Sequence, residues 1–115
     1  MIRAILYRDA DGCLTEYAAK GHAGYAEEGS DIVCAAVSVL GTTCVNSLES
    51  VCGVVPEIVE NKPGALRFRL PSPLSADKRH DAQVLMNALR QGLCDVAEQF
   101  PQYLQLSIRD WRKTS

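Results

Sequence analysis

The sequence predicts an α+β fold in which two long helices pack on one face of a mainly antiparallel sheet of about five strands. Two segments repeat apolar residues at spacings of three and four, as amphipathic helices do, and five shorter segments have the composition of strands. The predicted order along the chain is β-β-α-β-β-α-β. Strands and helices in this mixed order are typical of folds that place their helices on one side of an antiparallel sheet.

The first predicted elements are two strands that form a hairpin. The segment Ile2–Arg8 reads as a strand, and Asp11 and Gly12 after it are a common turn pair between antiparallel strands. Residues 13–21 read as the partner strand. Its two faces carry similar residues, so the pattern does not decide which face is buried.

A helical pattern begins at Ile32 and is preceded by Asp31, a residue type that favours the N-cap position. Gly53 is expected to end this helix. We expect one apolar stripe on it, formed by Val33, Val37, Leu40, Cys44, Leu48 and Val51.

The second half of the chain is predicted to contain a hairpin, a long helix and a final strand. Ser75 or Asp77 is expected to cap the helix, and Pro101 is expected to end it. The predicted bounds are strands at 54–61 and 65–70 joined by the turn NKPG, a helix at about 79–100 and a strand at 102–110.

Length, composition and charge narrow the class of protein. The chain has 115 residues, of which 47% are hydrophobic and 23% charged, and we expect one domain over residues 1–115. A chain of this length can bury a core without disulfides. The net charge of −2, with acids and bases interspersed, disfavours a general nucleic-acid-binding protein.

The cysteines and histidines give no sign of a metal or a disulfide framework. The five cysteines are odd in number and contain no CxxC pair, and the histidines are only His22 and His80. We therefore expect a reducing compartment, mostly buried cysteines and no metal or cofactor. The chain has no secretory signal pattern and no run of 18 apolar residues, so we expect a cytoplasmic protein without a membrane span.

The stretch GHAGYAEEGSDIVCAAVS carries the strongest chemical signal. If Asp31 is the N-cap, Cys34 lies in the first turn of the helix, where unpaired N–H groups and the helix dipole favour a thiolate. The same N–H groups are candidates to stabilise an oxyanion. His22 precedes a glycine-bearing loop, and Ser38 lies one turn after Cys34. Ordinary structural roles are the alternative, because free cysteines are usually buried packing residues and Asp31 is explained by capping alone.

The blocks GHAGYA, GSDIVCAAVS and TTCVNSLE closely resemble the ribosomal-processing cysteine protease family, often called Prp. The resemblance implies a homodimeric cysteine endopeptidase of Firmicutes and related bacteria. Such an enzyme removes a short N-terminal extension from large-subunit ribosomal protein twenty-seven, cutting near paired phenylalanines. By the matching motifs, Cys34 is the nucleophile and His22 the general base, while Asp31 and Ser38 have supporting roles.

Two further expectations concern alternatives and mobility. The alternative function is a non-catalytic ribosome-assembly or peptide-binding module of the same fold. A thiol redox sensor is disfavoured, because Cys44 is nearly three helical turns from Cys34, about 15 Å away and too far for a disulfide. Residues 24–30 combine glycines with like charges and no apolar stripe, so we predict that this segment is mobile without substrate.

Overall fold

A computed structural model describes residues 1–27 and 30–111 of the chain. The five strands form one sheet in the order β3-β4-β2-β1-β5, in which β1 and β5 run parallel and the other neighbours are antiparallel. The predicted α+β class and element order are therefore confirmed. The elements are β1 (Ile2–Arg8), β2 (Leu14–Lys20), α1 (Ile32–Ser50), β3 (Glu57–Lys62), β4 (Ala65–Arg69), α2 (Ala76–Gln99) and β5 (Leu104–Asp110).

Both helices pack on one face of this sheet. On β1, Ile2, Ala4 and Leu6 are buried, while the side chains between them are more accessible. Each buried Leu- or Val-sized side chain contributes about 1.5–3 kcal/mol through removal of apolar surface from water, so this shared core holds the layers together. The helices contribute Val33, Val37, Gly41, Cys44, Val45 and Leu48 from α1, and Ala82, Met86, Leu89 and Leu93 from α2.

A β-bulge explains why the two faces of β2 could not be told apart in the sequence. The register between β1 and β2 shifts where Tyr7 pairs with Glu16, which leaves Thr15 as an extra residue. An extra residue reverses the alternation of side chains in a strand. Leu14 and Tyr17 are therefore both fully buried although they are three residues apart. Glu16 takes the face away from the helices, where two arginines of β4 bind its carboxylate.

The ends of α1 differ from the predicted pattern. The predicted stripe extends to Val51, but Val51 is the C-cap residue and is 73% exposed, so this part of the prediction is wrong. The chain reverses direction just after it, at Gly53, where φ is +66°. Val54 is fully buried and its N–H donates to the carbonyl of Leu48. Val54 thus belongs to the turn that follows α1, and β3 begins at Glu57, later than predicted.

The second helix begins earlier than the predicted start at about residue 79. Ser75 is its N-cap, and the Ser75 hydroxyl accepts a hydrogen bond from the Lys78 N–H. The helix ends at Gln99, two residues before Pro101. The prediction of Ser75 as the N-cap is therefore confirmed, and so is the prediction that the helix ends at Pro101, to within two residues.

The helix α1 is long and apolar enough, by length and composition alone, to cross a membrane, with a mean hydropathy of 1.5. Core helices of globular domains pass the same test. In this fold α1 packs along one side against the sheet and α2. The core contacts account for its apolar composition.

Candidate active site

A cleft lies between the start of α1, the end of β2 and the β3–β4 hairpin, and it encloses about 150 Å³. His22, Cys34 and Ser38 all line this cleft. The structure thus brings together three of the four residues predicted from the sequence. The fourth, Asp31, is a buried residue at the start of α1.

Asp31 places Cys34 in the first turn of α1, as the sequence predicts. The Asp31 side chain is the N-cap, and its Oδ1 accepts hydrogen bonds from the N–H groups of Val33 and Cys34, both at 3.0 Å. Cys34 is half-buried and faces the cleft. Its position near the positive end of the helix dipole favours an anionic sulfur.

The other carboxylate oxygen of Asp31 holds the loop that follows His22. Asp31 Oδ2 accepts hydrogen bonds from the N–H groups of Tyr25 at 2.9 Å and Ala26 at 3.3 Å. Backbone donors, that of Cys34 foremost, lower the pKa of Asp31 below its ordinary value of 3.8, so the group is ionised near neutral pH. One carboxylate therefore ties the loop to the helix start.

These contacts revise one expectation about the helix start. The N–H groups of Val33 and Cys34 were candidates for binding an oxyanion, but both already donate to Asp31. That expectation is wrong for these two groups, because an engaged donor is not free to bind a developing charge. All four hydrogen bonds that the Asp31 carboxylate accepts within residues 1–27 and 30–111 come from backbone N–H groups. Asp31 therefore positions the loop through its backbone.

A backbone group that sequence reasoning missed contacts the sulfur. The N–H of Ala23 donates to Cys34 Sγ at 3.2 Å, and Ala23 is only 4% exposed. The contact joins the residue next to His22 directly to the thiol. A main-chain donor leaves no mark in the type of its side chain, so the sequence held no signal for it beyond its neighbour His22.

The imidazole of His22 packs against the β3–β4 hairpin. A Cβ built on Gly64 would lie 2.9 Å from His22 Nε2, so only glycine leaves the ring its place there. The Gly21 N–H donates to the Gly64 carbonyl at 2.9 Å, which fixes the hairpin turn beside the histidine. The sequence identified the turn NKPG but not its partner, because the pairing of β2 with β4 joins segments far apart in the chain.

The inner end of the cleft holds a buried hydroxyl. Tyr17 is fully buried and lines the cleft, and its hydroxyl has no hydrogen-bond partner within the part of the chain that the structure describes. Burial raises the pKa of Tyr17, so the phenol is neutral. Gly41 of α1 gives the ring its space, since a Cβ there would lie 3.3 Å from Tyr17 Cε2.

The segment 24–30, predicted to be mobile, is only partly covered, because residues 28 and 29 lie outside the described residues. At its start, the Tyr25 ring makes edge contacts with Phe100 at 5.5 Å and Tyr103 at 5.2 Å between centroids. These contacts and the hydrogen bonds to Asp31 anchor the first residues of the loop. The mobility of the segment stays a prediction.

The remaining cysteines separate by burial, and none of the described residues forms a metal cluster. All five cysteines are free, but only Cys44 is buried, Cys94 is exposed and the other three are half-buried, so the expectation of mostly buried cysteines is wrong. Burial raises the pKa of Cys44 to about 12, so its thiol is protonated and unreactive near neutral pH.

Within residues 1–27 and 30–111, no three His, Cys, Asp or Glu side chains converge as metal ligands.

A cysteine at a helix start and a histidine in the same cleft are the arrangement expected of an enzyme with a cysteine nucleophile. Comparison with known protein families identifies the particular family of cysteine enzymes. A family model described as cysteine protease Prp matches residues 1–105, and the chain belongs to this family of cysteine proteases.

Individual relatives cover nearly the whole chain. The ribosomal processing cysteine protease Prp of Bacillus subtilis is 28% identical over 108 residues, which are 93% of this chain and 96% of that protein. The crystal structure of SMU.848 from Streptococcus mutans has a TM-score of 0.78 at 33% identity and covers 96% of both chains. The Prp protease of S. aureus, solved with a covalently linked product peptide, shares the fold. Its TM-score is 0.84 at 24% identity, with coverage of 94% of this chain and 99% of that one.

Proposed function

We propose that this cysteine protease removes the N-terminal extension of large-subunit ribosomal protein twenty-seven, with Cys34 as nucleophile and His22 as general base. The observation that carries the proposal is the position of Cys34, at a helix start and in one cleft with His22. The name of the Bacillus subtilis relative supports ribosomal processing as the role. The residues of the family motifs, GHAGYA and DIVCAAVS, support the two catalytic assignments.

The proposed reaction is acyl transfer through a covalent intermediate. His22 takes the proton of the Cys34 thiol, the sulfur attacks the scissile carbonyl carbon, a C–S bond forms, and the carbonyl electron pair moves to oxygen. The intermediate collapses with cleavage of the C–N bond, and the histidine delivers a proton to the leaving amine. Water, deprotonated by the histidine, then hydrolyses the thioester and restores the thiol. Ser38 and Asp31 have supporting roles in this scheme: Ser38 lines the cleft, and Asp31 holds the loop that follows His22.

The size and lining of the cleft support an aromatic side chain near the cut. A cavity of about 150 Å³ is large enough to bind benzene, and the cleft encloses about that volume. Apolar side chains, among them Val37 and Leu66, line it together with the catalytic candidates. One phenylalanine ring of a paired-phenylalanine sequence fits such a site.

The assembly and location of the protein are also proposals. The family resemblance supports a homodimer that works in the cytoplasm on a peptide substrate, without direct nucleic-acid binding. The net charge of −2 supports the last point. Light scattering after size-exclusion chromatography tests the dimer, and a single-chain mass at micromolar concentration would contradict it.

The test of the substrate is incubation with a peptide that spans the extended N-terminus of the ribosomal protein, followed by mass spectrometry. We expect one cut near the paired phenylalanines and none in a control peptide with both replaced by alanine. Cys34→Ala and His22→Ala should each be inactive, and the double variant should be no worse than either, because the two residues act as a unit. An inactive wild-type protein would favour the peptide-binding module, and near-normal turnover of His22→Ala would rule out the dyad.

A further inference from the structure

The backbone N–H of Ala23 donates a hydrogen bond to the sulfur of Cys34, with 3.2 Å between the nitrogen and Cys34 Sγ. Ala23 is almost completely buried, and this is the hydrogen bond that its N–H makes within the described chain. Buried backbone N–H groups nearly always find a good acceptor. A neutral thiol is a weak acceptor, whereas a thiolate is a strong one. The contact is therefore suited to an anionic sulfur.

Three of the N–H groups at this helix start, those of Val33, Cys34 and Ala35, are already engaged. Asp31 Oδ1 accepts from both Val33 and Cys34, and the Ala35 N–H donates to the Asp31 carbonyl. A negative charge on the carbonyl oxygen of a bound peptide needs a donor other than these three. Ala23 N–H is next to the sulfur, and the oxygen of a tetrahedral intermediate is only two bonds from that sulfur.

We propose that the Ala23 N–H is a catalytic group that stabilises the Cys34 thiolate in the free enzyme and then the oxyanion of the tetrahedral intermediate. When the C–S bond forms, the sulfur loses its charge and its strength as an acceptor. The same electron movement opens the carbonyl double bond and puts the charge on oxygen. The donor exchanges a weakened acceptor for a strong one without moving far, which is a preorganised form of charge stabilisation. This inference rests on the proposed role of Cys34 as nucleophile.

The test is to replace the Ala23 amide by an ester, which removes the N–H and leaves the side chain unchanged. Cys34 is itself a ligation site, so a synthetic peptide thioester of residues 1–33 containing lactic acid at position 23 can be joined to a recombinant fragment 34–115. The matched control carries glycolic acid at position 24. The Gly24 N–H makes no hydrogen bond within the described residues, and φ is +72° there.

A second control accounts for the carbonyl of the new ester. The ester makes the His22 carbonyl a weaker acceptor, and that carbonyl accepts a hydrogen bond of 2.7 Å from the amino group of Met1. A ligated protein with acetylated Met1 removes the charge from that donor while keeping the Ala23 N–H. Thermal melting of all ligated proteins checks that they fold alike.

Two readouts separate the two roles of the donor. Alkylation of Cys34 by iodoacetamide at neutral pH depends on the thiolate alone, and we expect it to slow about tenfold, as for loss of a hydrogen bond to a charged group. Peptide cleavage depends on the oxyanion too, and we expect kcat/KM to fall about 10²-fold or more, as is known for loss of one oxyanion donor. The Gly24 ester and the acetylated protein should retain both rates within a factor of about two or three, the usual context scatter of a lost weak contact.

Equal losses in alkylation and cleavage, or no loss in either, would overturn the proposal. Failure of the proposed function has a different signature. If the unmodified ligated protein still cleaves after complete alkylation of Cys34, then Cys34 is not the nucleophile, whatever the ester does.

Discussion

Gly64→Ala separates the positioning of His22 from the stability of the fold. Gly64 has φ of +80°, and an alanine Cβ there would lie 2.9 Å from His22 Nε2 and 3.0 Å from Cε1. Ordinary van der Waals contact begins at 3.4 Å, so the ring must move by about 0.5 Å. The ring is the far end of an exposed side chain, so it can move at little cost in stability. A proton-transfer group that is displaced in this way loses its alignment with the sulfur and the leaving amine.

Gly12→Ala is the matched control, because it has the same backbone cost without the contact. Gly12 has φ of +84° in the β1–β2 turn, and a Cβ there would meet nothing within 4 Å. Placing an L-residue in this conformation costs about 1–2 kcal/mol. We therefore expect both variants to lose about 1–2 kcal/mol of unfolding free energy. Only Gly64→Ala should lose kcat/KM, by up to about 10²-fold, the loss known for a misplacement of about 1 Å.

Urea unfolding measures the unfolding free energy of each variant, and cleavage of the ribosomal peptide measures its kcat/KM. Equal kcat/KM for the two variants would refute the argument, since it would mean that the position of the imidazole on the hairpin has no part in the reaction. A much larger stability loss in Gly64→Ala would also contradict it, because the displaced ring would then be a structural element of the core.

Three further predictions address the cleft and its supports. Asp31→Asn keeps an oxygen to cap α1 but replaces the acceptor for Tyr25 and Ala26, so peptide cleavage should fall about tenfold or more as the loop loses its tether. Because the pKa of Asp31 is lowered in the folded state, its carboxylate stabilises the fold above the unfolded pKa and loses this effect as pH falls through the folded pKa. The difference in melting temperature between wild type and this variant should therefore be constant near neutral pH and shrink below about pH 4. A difference that grows in acid would contradict this sign. Cys34 should be alkylated by iodoacetamide faster than the exposed Cys94, because the thiolate and not exposure decides the rate. Peptide mapping after brief labelling measures this, and faster labelling of Cys94 would exclude an activated Cys34. Tyr17→Phe removes a buried hydroxyl without a partner among the described residues, so it should leave the melting temperature unchanged or raise it. A destabilisation above 1 kcal/mol, about the value of one hydrogen bond, would show that the hydroxyl is bonded.

The sequence predicted correctly those features of α1 that depend on residues close together in the chain. Asp31 is the N-cap of α1, and the apolar spacing of α1 from Val33 to Leu48 matches its buried face. These features depend on residues within a few turns of one another, so the sequence alone contains them. The prediction placed Val51 on the buried stripe of α1 and Val54 in β3, because both residues are apolar. The turn at Gly53 decides that Val51 is exposed and that Val54 is buried.

The parts of the site that the sequence could not predict are those that depend on pairing between distant segments or on the backbone. The contact between Gly64 and His22 requires the register that pairs Lys20 with Ala65 across β2 and β4. The bulge at Thr15 sets which side chains of β2 reach the cleft, and nothing in the composition of that strand indicates it. The hydrogen bond from Ala23 to the sulfur involves the main chain, which every residue shares.

The arrangement around Asp31 gives a physical reason for the order of histidine, loop and cysteine in the chain. The carboxylate occupies the N–H groups of Val33 and Cys34, so the helix start fixes the sulfur in place but has lost these donors for the substrate. The same carboxylate holds the loop backbone, and the loop returns a donor to the sulfur through Ala23. His22 is the neighbour of Ala23, so the tether that supplies the donor also places the proposed general base at the cleft. Because one carboxylate holds both the loop and the helix start, insertions or deletions between His22 and Asp31 should reduce cleavage more than they reduce stability.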